Sequence, residues 1–170
     1  MQAAYIETTG APDHIKIGEL PTPTPKSGEI LIKVGAAAIN PIDLYVRSGM
    51  VKMPLPMPFV PGSDVAGTVS AVGPGVRRFK VGDRVWGTNQ GLVGRQGTAA
   101  EFVCASEEWF YPTPAGVDDK IAAAAAMTGI TAHLGMFAEG KLKAGETLFV
   151  NGGAGGVGHI AIQLARARGA

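Results

Sequence analysis

The chain has 170 residues, 46% of them apolar and 17% charged, a composition that fits a folded globular protein and excludes a disordered one. A net charge of +1 gives no electrostatic reason to expect nucleic acid or an anionic membrane as a partner. The single cysteine, Cys104, excludes an internal disulfide and any multi-cysteine zinc site.

Residues 1–10 lack a basic stretch followed by an apolar core, so no signal peptide is expected. No stretch approaches the roughly 18 apolar residues of a membrane span, and a cytoplasmic protein without a membrane partner is the expectation. Up to Pro114, prolines separate short apolar runs, which predicts an all-β first part. The Pro-Thr-Pro-Thr-Pro run at 21–25 cannot be a central strand and reads as an extended connector. Ile30, Ile32 and Val34 alternate with Leu31 and Lys33, the pattern of a half-buried strand. Residues 41–48 predict a short helix, since Pro41 suits a first turn and Gly49 a helix end. Further strands are predicted at 65–72, closed by Gly73-Pro74-Gly75, at 80–86 around a Gly82-Asp83 turn, and at 99–105. Many short strands with Gly and Pro turns fit a small barrel or sandwich.

Beyond Pro114 the pattern changes. Asp118 or Asp119 suits the cap of an alanine-rich helix that continues through Thr128 to Phe137. Gly140 and Gly145 punctuate a connector. Residues 147–150 are a short apolar run, as in a strand of a parallel sheet. A helix follows, with Val157, Ile160, Ala161, Leu164 and Ala165 on one apolar stripe and Gly169 at its end. The fold class is therefore β plus α/β.

Between that strand and that helix lies Gly153-Ala154-Gly155-Gly156-Val157-Gly158, a G-x-G-x-x-G pattern. In a dinucleotide-binding turn the first glycine allows the tight bend. The second lets the backbone approach a pyrophosphate, and the third lets helix and strand pack closely. Free N–H groups at the helix N-terminus then face the anion. The residue that reads the ribose 2′ position is expected about 20 residues further on, past Ala170.

Two front segments complete the pattern. One is Ala38-Ile39-Asn40-Pro41-Ile42-Asp43-Leu44-Tyr45-Val46-Arg47-Ser48-Gly49. The other is Pro58-Phe59-Val60-Pro61-Gly62-Ser63-Asp64-Val65-Ala66-Gly67. With Gly82-Asp83-Arg84-Val85 and the phosphate turn, they resemble the medium-chain dehydrogenase/reductase superfamily. Within it, the chain is most similar to the zinc-free quinone oxidoreductase, zeta-crystallin-like, branch. The resemblance implies a GroES-like barrel domain at 1–117. At 118–170 it implies the first βα unit of a truncated Rossmann domain, so that the chain is an N-terminal fragment.

Zinc-dependent relatives place a cysteine at the position of Asn40, a histidine at Ser63 and a third ligand near Met127. Asparagine, serine and methionine are poor zinc ligands, so no metal is expected. The histidines, His14, His133 and His159, show no ligand spacing. Without a metal to polarise a carbonyl, reduction of an activated quinone or enone by NADPH, with NADH the lesser choice, is the implied reaction. By the same resemblance, Tyr45 and Asn40 are the catalytic candidates. Tyr45 would donate to the developing oxyanion, and Asn40 would orient substrate or ring through its amide. Asn40, Ile42, Asp43, Thr128, Thr131, Gly153, Gly155, Gly156, Val157 and Gly158 are the cofactor-binding candidates.

Plainer roles stand beside these. Tyr45 could merely cap a loop, Asp43 could satisfy backbone N–H groups at a helix terminus, and the threonines could bond back to helix carbonyls. Cys104 reads as an inert thiol. Two other functions compete. The chain could be catalytically silent, as a truncated product or interaction module, or it could belong to an enoyl-thioester reductase. The resemblance implies a homodimer whose interface lies mainly in the cofactor domain.

Overall fold

β3 (Glu29–Ala38) is the strand around which the first part of the chain is built. It pairs antiparallel with both β4 (Asp64–Val72) and β6 (Phe102–Ser106). The structure, a computed structural model, describes residues 1–170. Five strands form one antiparallel sheet in the order β6-β3-β4-β5-β7, where β5 is Arg84–Gly87 and β7 is Phe110–Pro112. β1 (Gln2–Tyr5) and β2 (Lys16–Glu19) form a separate two-stranded ladder. The β3–β4 register shifts at Leu31/Ile32 and again at Val34/Ala36, two irregularities that increase local twist.

The expected alternation in β3 holds on one face only. Ile30 and Ile32 are fully buried, but Leu31 is buried too. Both faces of the strand are therefore covered at this point. The sheet's core is Ile30, Ile32, Val65, Val69, Val85, Val103 and Phe110. Each such side chain contributes about 1.5–3 kcal/mol on burial. The strand predicted from residue 99 begins at Phe102, preceded by a single bridge from Ala100 to Ala3. Residues 21–25 are extended and outside every ladder, as their prolines require.

α1 (Pro41–Ser48) has the predicted bounds. Proline fills its first turn, and Gly49 closes it in the left-handed conformation (φ 81°), where a side chain would be strained. Val46 packs with Ile6 and Phe59 in a second buried cluster.

α2 (Asp119–His133) starts after Asp118, whose carbonyl and carboxylate accept from the N–H groups of Ala122 and Lys120 at 3.0 and 2.8 Å. Ala122 and Ala123 pack on Ala66 of β4. α2 runs on as a wider π-type turn, Leu134–Glu139. Together Asp119–Glu139 are 21 residues, long and apolar enough to cross a membrane by length and composition. This corrects the expectation that no stretch approaches such a length. The alanines are apolar enough to count although each methyl is small, and no charge interrupts them.

The chain divides into two compact units, Met1–Ala124 and Ala125–Ala170. In the second, α3 (Gly156–Ala167) buries Ala161 and Ala165. They pack with Ala132 and Met136, and Ile160 and Leu164 flank them. Val157, expected on that stripe, is 40% exposed and lies outside the cluster. Gly169 follows α3 with a φ of 82°, the predicted stop. Residues 147–150 are extended but belong to no sheet, contrary to the predicted parallel strand. A strand exists through its neighbours' hydrogen bonds, and no second strand is present in this unit. Leu148 faces the small core while Phe149 is 89% exposed.

Candidate functional site

The candidate residues gather mainly at two helix starts, one in each unit. The first is the start of α1. Asn40 is its N-cap and is 6% exposed. Its backbone N–H donates to Asp43 Oδ2 at 2.7 Å, the carboxylate arm of a capping box. Its side-chain Nδ2 donates to Asp64 Oδ2 at 2.9 Å. Ser63 Oγ donates to the other carboxylate oxygen of Asp43, and the Ser63 backbone N–H adds a further bond there. Ser63 and Asp64 are fully buried, at the head of β4. Burial pushes the Asp43 carboxyl above its ordinary range, while the bonds from Ser63 and Asn40 pull it back.

These four residues, Asn40, Asp43, Ser63 and Asp64, form one interlocked polar group. The Asn40 amide and the Asp43 carboxylate are turned inward to partners in the chain. Asp43 accepts from the backbone N–H groups of Asn40 and Ser63. Tyr45, two residues on, is 43% exposed, and its hydroxyl bonds to nothing in the chain. It therefore caps no loop. Ile42 is half-buried and packs against the Ile6, Val46 and Phe59 cluster.

Sequence reasoning named Ser63 only as a position without a zinc ligand, and it gave Asp64 no role. The capping-box spacing Asn40-x-x-Asp43 was a usable signal for the first bond. The bonds to Ser63 and Asp64 span 20 and 24 residues and leave no local trace. No three His, Cys, Asp or Glu side chains come together as a metal-holding group. His14 Nδ1 approaches Thr8 O at 3.4 Å, His159 Nε2 meets Gln163 at 2.9 Å, and His133 meets the Phe137 ring edge-on at 5.4 Å.

The second place is the start of α3, whose N-cap is Gly155. The left-handed residue of the turn is Gly152 (φ 75°), one position before the glycine expected to make the bend. At Gly153 a side chain would meet only the tip of Ile162, 2.9 Å away. Gly158 is different, because a Cβ there would collide with the Gly152 carbonyl oxygen and lie 2.9 Å from Gly153 Cα. Helix and turn thus touch backbone to backbone at Gly158. The first bond of the α3 ladder is His159 N–H to Gly155 O, at 2.8 Å. The N–H groups of Gly156, Val157 and Gly158, in the first turn of α3, have no backbone acceptor; Gly156 and Val157 are exposed and Gly158 is half-buried. Such a cluster fits an anion, and its glycine surroundings leave room for a phosphate.

Thr128 Cγ2 lies 3.1 Å from the Cβ position of Gly156, so α2 and the turn meet there. Thr131 is turned the other way, with its Oγ1 donating to Met127 O at 2.7 Å, the back-bonded arrangement of a mid-helix threonine. Cys104 donates to Glu29 Oε2 at 3.4 Å, and burial, helped by the Glu29 charge, pushes its thiol up to about 12. A thiol so held is not a nucleophile near neutral pH.

Comparison with known proteins gives the same outline. Residues 26–115 match the alcohol dehydrogenase GroES-like domain. The quinone oxidoreductase of Rattus norvegicus is 38% identical over 170 residues, which are 99% of this chain and 50% of the rat protein. The crystal structure of an alcohol dehydrogenase superfamily protein from Novosphingobium aromaticivorans superposes with a TM-score of 0.90 at 36% identity, over 99% of this chain and 51% of that one. The Escherichia coli quinone oxidoreductase complexed with NADPH superposes with a TM-score of 0.88 at 31% identity, over 99% of this chain and 50% of that one. The chain spans about half the length of these relatives.

Proposed function

The chain belongs to the alcohol dehydrogenase GroES-like domain family, and from that premise we propose that the whole protein reduces quinones or other α,β-unsaturated carbonyls with NADPH and without zinc. The observation that carries this reading is the start of α3, where the N–H groups of Gly156, Val157 and Gly158 have no backbone acceptor and the backbone leaves no room for a Cβ at Gly158. Gly156, Val157 and Gly158 would hold the pyrophosphate through those N–H groups. Gly155 and Gly153 keep the approach free of side chains, and Thr128 borders it. NADPH supplies the hydride when bound. NADPH is preferred over NADH on the strength of the E. coli relative, whose structure contains it.

Tyr45 holds a proton at its hydroxyl oxygen with no partner inside the chain. The oxygen of a quinone or enone becomes an anion on reduction and needs such a donor. The absence of zinc from the mechanism rests on donor chemistry. Asn40 and Ser63 are weak ligands already committed to carboxylates, and no cluster of stronger ones exists. Without a Lewis acid the acceptor must be activated by its own conjugation, which favours quinones and enones over simple carbonyls. The names of the relatives point to the same substrates.

The test is to mix the full-length protein with NADPH and 1,4-benzoquinone, and separately with a small cyclic enone. Saturable loss of the reduced-nicotinamide absorbance is expected with at least one of them. No oxidation with either acceptor would overturn the reading.

A second reading has one observation behind it. Residues 147–150 pair with nothing and Phe149 is 89% exposed, so the 170-residue chain by itself would not complete a cofactor crevice. On this reading the isolated chain is catalytically silent. Fluorescence titration of the 170-residue chain with NADPH separates the two, and saturable micromolar binding would sink the silent reading.

A further inference from the structure

The polar group at the start of α1 exceeds what an eight-residue helix needs. The cap itself is a reciprocal pair, the Asn40 side chain accepting from the Asp43 N–H and the Asp43 carboxylate from the Asn40 N–H. Yet four polar side chains, two of them carboxylates, are buried here together. Buried carboxylates are costly unless hydrogen-bonded, and apolar side chains of similar volume would pack as stably. What a hydrogen-bonded polar network adds over apolar packing is a single defined arrangement.

That arrangement has one evident beneficiary. An eight-residue helix is too short to hold its own shape in water, so its anchors set its position. At one end, Ser63 Oγ grips Asp43, and Asn40 Nδ2 grips Asp64 at 2.9 Å. Both partners stand at the head of β4, which lies between β3 and β5 in the sheet. At the other end, Val46 is buried with Ile6 and Phe59, and the Arg47 guanidinium donates to Gly10 O. Tyr45 sits between these anchors. Its backbone carbonyl is held by Val51 N–H and Ser48 Oγ, both at 3.1 Å, but nothing in the chain holds its hydroxyl. The backbone from which that hydroxyl extends is placed by the anchors of the helix.

Resting on the reading of Tyr45 as the proton donor, we propose that Ser63 and Asp43 form a latch that places α1, and with it the Tyr45 hydroxyl, for donation. They are positioning residues of the reductase, not part of its cofactor site. The burial that raises the Asp43 carboxyl is opposed by the Ser63 hydroxyl, which holds the latch closed.

The experiment is a double-mutant cycle in the full-length protein, with Ser63→Ala, Tyr45→Phe and the pair. It measures kcat with 1,4-benzoquinone at saturating NADPH, the Kd for NADPH by fluorescence, and Tm. Ser63→Ala is expected to lower kcat about tenfold, since small misplacements of a reacting group carry such effects, while the NADPH Kd stays within about twofold. On the Tyr45→Phe background the same change is expected to lower kcat by less than about twofold. Ser63→Thr, which keeps the hydroxyl, should restore the rate. A merely structural serine would cost the same factor on both backgrounds, and that result overturns the latch while leaving the Tyr45 reading intact. An unchanged kcat in Ser63→Ala overturns it equally. Loss of no activity in Tyr45→Phe alone removes the Tyr45 reading and the latch together. If Ser63→Ala does not fold, Ser63→Cys, nearly isosteric with a weaker donor, is carried through the same cycle and judged by the same non-additivity.

Discussion

Asn40 caps α1 in the first unit and Gly155 caps α3 in the second. Asn40 is 6% exposed and closed in by Asp43, Ser63 and Asp64, whereas Gly155 is exposed and has no side chain to offer as an acceptor. Every helix begins with N–H groups that need acceptors. At α1 the chain supplies acceptors itself, and the result is a fixed, buried anchor. At α3 the capping residue is a glycine with no side-chain acceptor, and the N–H groups remain available to an anion. The same backbone feature thus makes a structural joint in one place and a candidate ligand site in the other, according to the side chains beside it.

The contrast can be broken at several points. The largest effect is expected in the core of the sheet. Phe110→Ala should cost about 3–5 kcal/mol, because Phe110 is fully buried among Val85 and its neighbours. Urea unfolding of the 170-residue chain would show it as a lower midpoint, and a shift below about 1 kcal/mol would mean this unit is not the stable one.

At α3, Gly158→Ala should weaken NADPH binding by the full-length protein at least tenfold, about 1.4 kcal/mol, because the added methyl meets the backbone of Gly152 and Gly153. Gly153→Ala, facing only the tip of Ile162, should do much less. Equal effects would erase the distinction between the two glycines.

At Cys104 the prediction concerns pH. The folded thiol titrates at about 12 against an ordinary value of 9.0. The folded state therefore holds its proton more tightly than the unfolded one. The associated stability is fully present below pH 9 and is lost as pH rises through 12. Cys104→Ala should flatten that alkaline loss in thermal melts taken over this range. Iodoacetamide should label the native thiol slowly near neutral pH and quickly in urea.

The smallest effect is expected at Phe149, whose ring is 89% exposed. Phe149→Ser should change the stability of the 170-residue chain by no more than about 0.5 kcal/mol and reduce its self-association in light scattering. A loss of several kcal/mol would show that the ring is covered in solution.

Local signals in the sequence were read well. Pro41 and Gly49 bounded α1 because proline fits a first turn and glycine a left-handed stop. Asp118 capped α2, and Gly169 ended α3. Errors came where a residue's state depends on distant chain. Residues 147–150 have strand composition, but a ladder needs a neighbour. Leu31 looked outward by alternation, yet the sheet covers both its faces. Val157 fell on the right helical stripe, but the small core of its unit stops short of it. No stretch was expected to reach the length of a membrane span, but α2 and its π-type continuation join into one apolar helix of 21 residues.

At the phosphate turn, the sequence by itself determined that glycine backbone would meet a helix N-terminus, since only glycine permits that bend and that contact. It also determined the start and end of α1, through a proline, a glycine and a capping spacing all within ten residues. Only the tertiary structure decided that Gly152 makes the bend, that Thr131 turns back onto its own helix, and that Ser63 and Asp64 close over Asp43 and Asn40. Hydrogen bonds spanning 20 or more residues depend on how strand and helix come together, and no periodicity or local motif encodes that meeting.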